Sequence, residues 1–226
     1  MRTNMVASAQ HLITPLCSQA YLSDDVADLA QIYQPGINLC LIERQVDNEL
    51  NSFVEHLLKL SNPVSFVESI DFASFDFFSL LPQTGYLPGY REFCKDVAAL
   101  TALYCDLFEL KRVGLRLNTL DHAMYPKFHV DSVTCRLVCT YGGVGTEWLE
   151  DAYADRRKLG SGSGGLSDEL SGLILDDNAI HKMPPYAIGL LKGRLWEGNE
   201  QHGAIHRSPM LTSNSPRRLL LTLDFG

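Results

Sequence analysis

The sequence predicts an α+β protein in which a helix-rich N-terminal half supports a β-sandwich or β-barrel built by the C-terminal half. Three observations carry this. Up to residue 111 apolar residues recur at spacings of three and four, the period of a one-sided helix. From Arg112 onward they fall in short runs broken by Pro, Gly and Asn, as in sheets of short strands. A chain of 226 residues with 46% hydrophobic content can also bury one substantial core, with or without a helical layer, unaided by disulfides. The expected organisation is residues 1–111 as a helix-rich support layer packed on a core of residues 112–226, the two forming one compact unit.

Taken in order, Asp24 and Asp25 open a short periodic stretch, DDVADLAQIY, and INLCLIER is a strand candidate. Asp47 opens a second helix, DNELNSFVEHLLKL, with Leu50, Phe53, Val54, Leu57 and Leu58 on one face. A longer helix runs through YREFCKDVAALTALYCDLFEL, where Phe93, Val97, Leu100, Leu103, Leu107 and Leu110 make an apolar stripe. The strands expected after it are RVGLRLNTLD, KFHVDSV, TCRLVCTYG, YAIGLLKG, GAIHRS and RRLLLTLDF. The intervening KLGSGSGGLSD, too rich in Gly and Ser for regular structure, is expected to be a mobile loop.

A net charge of -8 and the lack of a Lys/Arg stripe argue against a nucleic-acid surface, which needs clustered cations. No stretch reaches the roughly 18–20 apolar residues of a membrane span. His11 and Gln10 interrupt the N-terminal segment where a leader would be uniformly apolar, so a cytoplasmic protein is expected. The six cysteines, Cys17, Cys40, Cys94, Cys105, Cys135 and Cys139, form no CxxC pair and are expected as reduced core residues.

The residues that suggest chemistry lie in FHVD. In a strand, side chains at i and i+2 share a face, so His129 and Asp131 present an imidazole beside a carboxylate. An HxD pattern alone is weak, since roughly half of chains with this histidine content contain one by chance. Its weight comes from order: a second histidine, His206, follows in GAIHRSP, and an arginine opens the last strand. Three ligands on one face of an octahedral ion leave the other face open, the arrangement of non-haem Fe(II) oxygenases.

The runs PKFHVD, TCRLVCTYGGVGTEWL, AIGLLKG, GAIHRSP and RRLLLTLDFG resemble a bacterial family known as domain of unknown function 1826. The resemblance covers most of the chain and is strongest from Leu117 to the end. More distantly, the order HxD, distal His, Arg resembles the Fe(II)/2-oxoglutarate dioxygenase superfamily. That resemblance implies a double-stranded β-helix, a jelly-roll or cupin-like barrel. It implies His129, Asp131 and His206 as ligands of Fe(II), with zinc possible, and an arginine opening the final strand as partner of the distal carboxylate of 2-oxoglutarate. Strand alternation puts Arg218, Leu220 and Thr222 on one face and Arg217, Leu219 and Leu221 on the other. Arg218 is the choice, because its face carries the polar Thr222 while Arg217 leads an all-leucine face suited to the helical layer.

Arg136 is a second candidate for a cosubstrate or substrate carboxylate, and equally for an ion pair with an acidic neighbour. Trp148 and Glu147, after the turn GGVGTE, are candidates to line the mouth of the site. Arg207 and the other histidines are expected to be structural. The resulting expectation is an Fe(II)/2-oxoglutarate-dependent dioxygenase performing hydroxylase-type oxidation of an unidentified small-molecule or protein substrate. The alternative is a non-catalytic zinc- or iron-binding protein of metal homeostasis on the same fold. A scaffold with a vestigial HxD and a cupin enzyme that does not use 2-oxoglutarate also fit these residues.

Overall fold

The computed structural model describes residues 19–226. The expectations placed on His11, Gln10 and Cys17 lie outside them. Ten strands and three α-helices follow one another as β1 (Gln19–Ser23), β2 (Ile37–Ile42), α1 (Asn48–Lys59), β3 (Ser65–Asp71), α2 (Tyr90–Phe108), β4 (Arg112–Leu120), β5 (Cys135–Gly142), β6 (Glu147–Leu149), α3 (Asp168–Ser171), β7 (Ile180–Lys182), β8 (Ile188–Lys192), β9 (Ile205–Arg207) and β10 (Arg218–Phe225). They form a seven-stranded sheet in the order β1-β2-β8-β5-β10-β4-β3 and a three-stranded sheet in the order β7-β6-β9. Every pair is antiparallel except β1 with β2. Among the described residues no helix is long and apolar enough to cross a membrane.

Three layers result from the alternation along the central strands. Leu219, Leu221 and Leu223 of β10, with Leu115 and Leu117 of β4 and Leu137 and Cys139 of β5, project to one face and are buried against α1 and α2. Each such side chain contributes roughly 1.5–3 kcal/mol by leaving water. On the opposite face Leu39, Leu41, Val138 and Leu191 meet Trp148 and Ala204, so the small sheet packs over the large one. A third cluster, Phe128, Leu149, Leu173, Ala179 and Ile205, covers the outer side of the small sheet. The described cysteines, Cys40, Cys94, Cys105, Cys135 and Cys139, are all buried and unpaired.

Local signals account for the helices. The Asp47 carboxylate accepts the Leu50 amide at 2.7 Å and caps α1, whose Leu50, Phe53, Val54 and Leu57 are buried. Helix α2 begins at Gly89, with φ of +77°, where an added Cβ would stand 1.9 Å from the Glu49 carbonyl oxygen. Only glycine allows that crossing of the two helices. The DDVADLAQIY stretch forms a 3-10 helix over Val26–Tyr33, capped by Asp25.

Three expectations are corrected. Residues up to 111 do not act only as a support layer, because β1, β2 and β3 are strands of the large sheet itself. Strand β3 escapes a periodicity search because it is an edge strand with only Ile70 fully buried. The KFHVDSV segment is not a regular strand: it touches the small sheet at a single bridge, His129 with His206. It then turns away because its carbonyls are taken by the next turn, Arg194 N–H donating to Asp131 O and Leu195 N–H to Val133 O. The Gly/Ser segment holds a 3-10 turn over Gly160–Ser163 with Ser163 buried, and Lys127 Nζ donates to the Leu166 carbonyl at 2.8 Å.

Candidate metal centre

The site begins with that bridge. His129 and His206 each donate a backbone N–H to the other's carbonyl at 3.0 Å, and directly opposed residues project to the same side. Their rings therefore stand together, with centroids 4.5 Å apart. Nδ1 of His129 lies 2.9 Å from the Lys127 carbonyl and Nδ1 of His206 lies 3.1 Å from the Ala204 carbonyl. A carbonyl only accepts, so in both rings Nδ1 carries a proton and Nε2 is the atom turned toward Asp131, donating to it when protonated and offering its lone pair to a metal when not.

Asp131 adds the carboxylate. Its Oδ1 is 3.5 Å from His129 Nε2 and its Oδ2 is 3.3 Å from His206 Nε2. One donor atom from each residue falls within a group no more than 4.8 Å across, so the three could hold one metal ion. Burial pushes the Asp131 carboxyl up, but the hydrogen bonds from both imidazoles and the Arg136 charge outweigh it and hold the group well below the usual carboxylate range. Burial likewise works against a charged His129, while Asp131 and the Lys127 carbonyl raise its pKa overall.

Arg136 is placed differently from the expectation that it binds a cosubstrate. Its Nη1 donates to Asp131 Oδ2 at 2.7 Å, and its Nε and Nη2 donate to Asp224 at 2.7 and 3.0 Å. Asp224, 5% exposed, also accepts from Arg116 Nη1. Arg136 thus orients the candidate ligand instead of offering a free fork. Replacing it by glutamine leaves the three donors in place but loosens the carboxylate. Metal affinity is expected to fall roughly 10–100-fold, read by competitive chelator titration.

Close backbone packing sets the position of the HxD segment. A Cβ on Gly193 would lie 2.0 Å from the Val133 carbonyl oxygen and 2.8 Å from that of Asp131. Gly193→Ala must therefore push this segment away, at about 1–3 kcal/mol of stability. A lowered melting temperature together with weaker metal binding is the expected result.

Beside the triad lies a cavity of about 260 Å³ whose lining includes His129, His206, Arg136, Arg116, Thr146 and Thr222. Arg218, 1% exposed, lies behind this lining and is joined to it through Thr146. Its Nη2 donates to Thr140 Oγ1 at 3.1 Å and to Thr146 Oγ1 at 2.9 Å, while Nε and Nη1 are buried with no partner. No carboxylate pairs with it, and burial pushes its pKa down to about 10, which still leaves it charged at neutral pH. Arg217 points to the other face and donates to the Leu60 and Ser61 carbonyls at the end of α1.

The sequence profile of the family described as protein of unknown function (DUF1826) matches residues 23–224. The chain belongs to this family. No curated protein matches the family member. Among solved structures it is similar to the dioxygenase for auxin oxidation from rice, with a TM-score of 0.53 at 14% identity over 92% of this chain and 82% of that one. It is similar also to dioxygenase for auxin oxidation 1 from Arabidopsis thaliana, solved with 2-oxoglutarate, at a TM-score of 0.53 and 11% identity over 92% of each chain. At such identities the likeness concerns the fold: a mixed α+β arrangement of jelly-roll type, shared with 2-oxoglutarate oxygenases.

Two expected site residues of this family member are not in the lining of the triad's cavity. Trp148 is 6% exposed between the sheets and stacks on His181, lining a separate cavity with Leu39 and Ala204. Glu147 is bound to Arg207 Nε at 2.7 Å. Pairing register sets both: Trp148 opposes His206 and is buried beside it on the inward side, whereas Glu147 opposes Arg207 on the outer side. Arg207 also meets Asp168 and Glu169, in keeping with a structural role. Conversely, Arg116 and Asp224 were missed. Alternation could have found both, since Asp224 falls on the Arg218 face of RLLLTLDF and Arg116 lies opposite Val113, Leu115 and Leu117.

Proposed function

We propose that the chain is a non-haem Fe(II), 2-oxoglutarate-dependent oxygenase built on a double-stranded β-helix. The observation that carries this reading is Arg218, a buried arginine with two unpartnered nitrogens and no acidic partner among the described residues, hydrogen-bonded to Thr146 of the cavity that a triad of two imidazoles and one carboxylate borders. A guanidinium left so would be costly unless an anion completes it, and a carboxylate matches its planar fork. The donor set fits Fe(II), and the distal carboxylate of 2-oxoglutarate fits Arg218. When bound, the iron would supply the redox chemistry that couples decarboxylation of 2-oxoglutarate to oxidation of an organic substrate.

The chain's own groups divide the remaining work. His129, Asp131 and His206 would hold the ion; the Lys127 and Ala204 carbonyls orient the two imidazoles through Nδ1 and Arg136 orients the carboxylate. Thr140 and Thr146 hold the Arg218 fork in place. Val138 and Leu220 add apolar surface to the same cavity. A purely structural zinc site supplies four protein ligands, whereas this cluster has three among the described residues, which favours a site with an open position.

The test is metal analysis of anaerobically purified protein, then succinate formation from 2-oxoglutarate with Fe(II) and O2. One iron per chain and succinate release are expected. Tight zinc binding with no succinate would overturn the proposal in favour of the metal-holding alternative.

A further inference from the structure

We infer that the primary substrate is a small organic monoacid with an apolar body, its carboxylate received by Arg116; this rests on the oxygenase reading above. The same face of β4, β10 and β5 that borders the triad carries Arg116, Arg136 and Arg218 against two carboxylates, Asp131 and Asp224. Arg207, the other arginine of the lining, is taken up by Glu147, Asp168 and Glu169.

Geometry identifies Arg116 as the receiver. Arg136 makes three hydrogen bonds to its two acids, and Arg218 is enclosed. Arg116 makes one, through Nη1 to Asp224, and its side chain is 45% exposed in the cavity wall. Its Nε and Nη2 are free to meet a carboxylate from the open side, where the pairing is charge-assisted and planar.

The apolar body has its own surface. Met124 and Tyr125 are 47% and 62% exposed and offer apolar surface to a ligand. They line the triad's cavity together with Leu120, and they also line an adjoining cavity of about 230 Å³ with Pro126 and Phe128. Tyr125 lies 5.5 Å, centroid to centroid, from the His129 ring. An acid held at Arg116 with its carbon skeleton over Met124 and Tyr125 would thus lie across the triad. A neutral or cationic substrate would leave the Arg116 donors unused.

The experiment uses the zinc-loaded full chain, which binds without turning over, and isothermal titration calorimetry. 2-Oxoglutarate is titrated first; phenylacetate, hexanoate and the neutral phenylacetamide follow, with and without it. At least one acid is expected to bind tenfold or more tightly than the amide. Arg116→Gln is expected to bring acid and amide within about threefold of one another, Arg116→Lys to restore part of the preference, and Met124→Ala to weaken acid and amide alike. Zinc stoichiometry and circular dichroism confirm that each variant is folded and loaded, and the lysine variant stands in if the glutamine one is not. Acids that bind no better than the amide, or a preference that survives Arg116→Gln, would overturn the inference. Failure of 2-oxoglutarate to bind would sink the cosubstrate reading instead, and the acid-to-amide comparison in the zinc protein still decides the role of Arg116.

Discussion

Asp131→Ala is expected to abolish metal binding while the protein stays folded. Asp131 is the sole carboxylate within the described triad and stands 3.3–3.5 Å from both imidazole Nε2 atoms. Removing it takes the only negative charge from the first coordination sphere. The loss should exceed the roughly 10–100-fold that follows removal of an outer partner such as Arg136. The fold survives because Arg136 keeps Asp224, with which it makes two hydrogen bonds. Losing the third exposes one buried donor, a cost of about 1–3 kcal/mol. The measurement is metal stoichiometry by elemental analysis, with far-ultraviolet circular dichroism as the control. A variant that keeps one tightly held ion per chain would show that the triad is not the metal centre.

Arg218→Met should separate stability from binding. In a structural ion pair, losing the arginine destabilises the protein. Arg218 has no such partner: two threonine hydroxyls accept from Nη2, while Nε and Nη1 have nothing. Its charge is buried without compensation, which is why burial alone pushes its pKa down. Methionine of similar length fills the space without a charge. Exchanging buried ionic groups for apolar ones is neutral or stabilising by about 1–4 kcal/mol. The ligand-free variant is therefore expected to melt at the same temperature or several degrees higher. Its 2-oxoglutarate affinity should drop by roughly 10–100-fold, the value of one charge-assisted contact of about 1.5–3 kcal/mol. Differential scanning fluorimetry and calorimetric titration read the two effects separately. A lower melting temperature with unchanged 2-oxoglutarate affinity would assign Arg218 to the scaffold.

How far these residues could be foreseen depends on the range of the interaction that places them. The helices were legible, since the Asp47 cap and the three-and-four spacing of Leu50, Phe53, Val54 and Leu57 act within a few turns. So was the division of β10, where Leu219, Leu221 and Leu223 face the helices and Arg218, Leu220 and Thr222 do not. The candidate ligands were marked by order along the chain, and His206 lies in a strand as expected, but the strand geometry assigned to FHVD was wrong: it is held by one bridge and by backbone bonds from Arg194 and Leu195, not by a strand ladder.

Trp148, Glu147 and Arg136 mark where sequence reasoning stopped. Adjacent residues on a strand face opposite ways, so whether Trp148 or Glu147 points inward is decided by pairing with His206 and Arg207, far along the chain. Arg136 could serve a ligand or an acid, and only the arrival of Asp131 on one side and Asp224 from β10 on the other settled it. By itself the sequence determined the two long helices, most of the C-terminal strands, the buried leucine face and the order of two histidines, one carboxylate and one arginine. The tertiary structure alone decided that the three candidate ligands meet within 4.8 Å, that Arg136 braces one of them, and that Arg218 is buried unpaired. The reason is physical: caps and periodicity act between near neighbours, whereas ion pairs and burial depend on which distant strands are brought face to face.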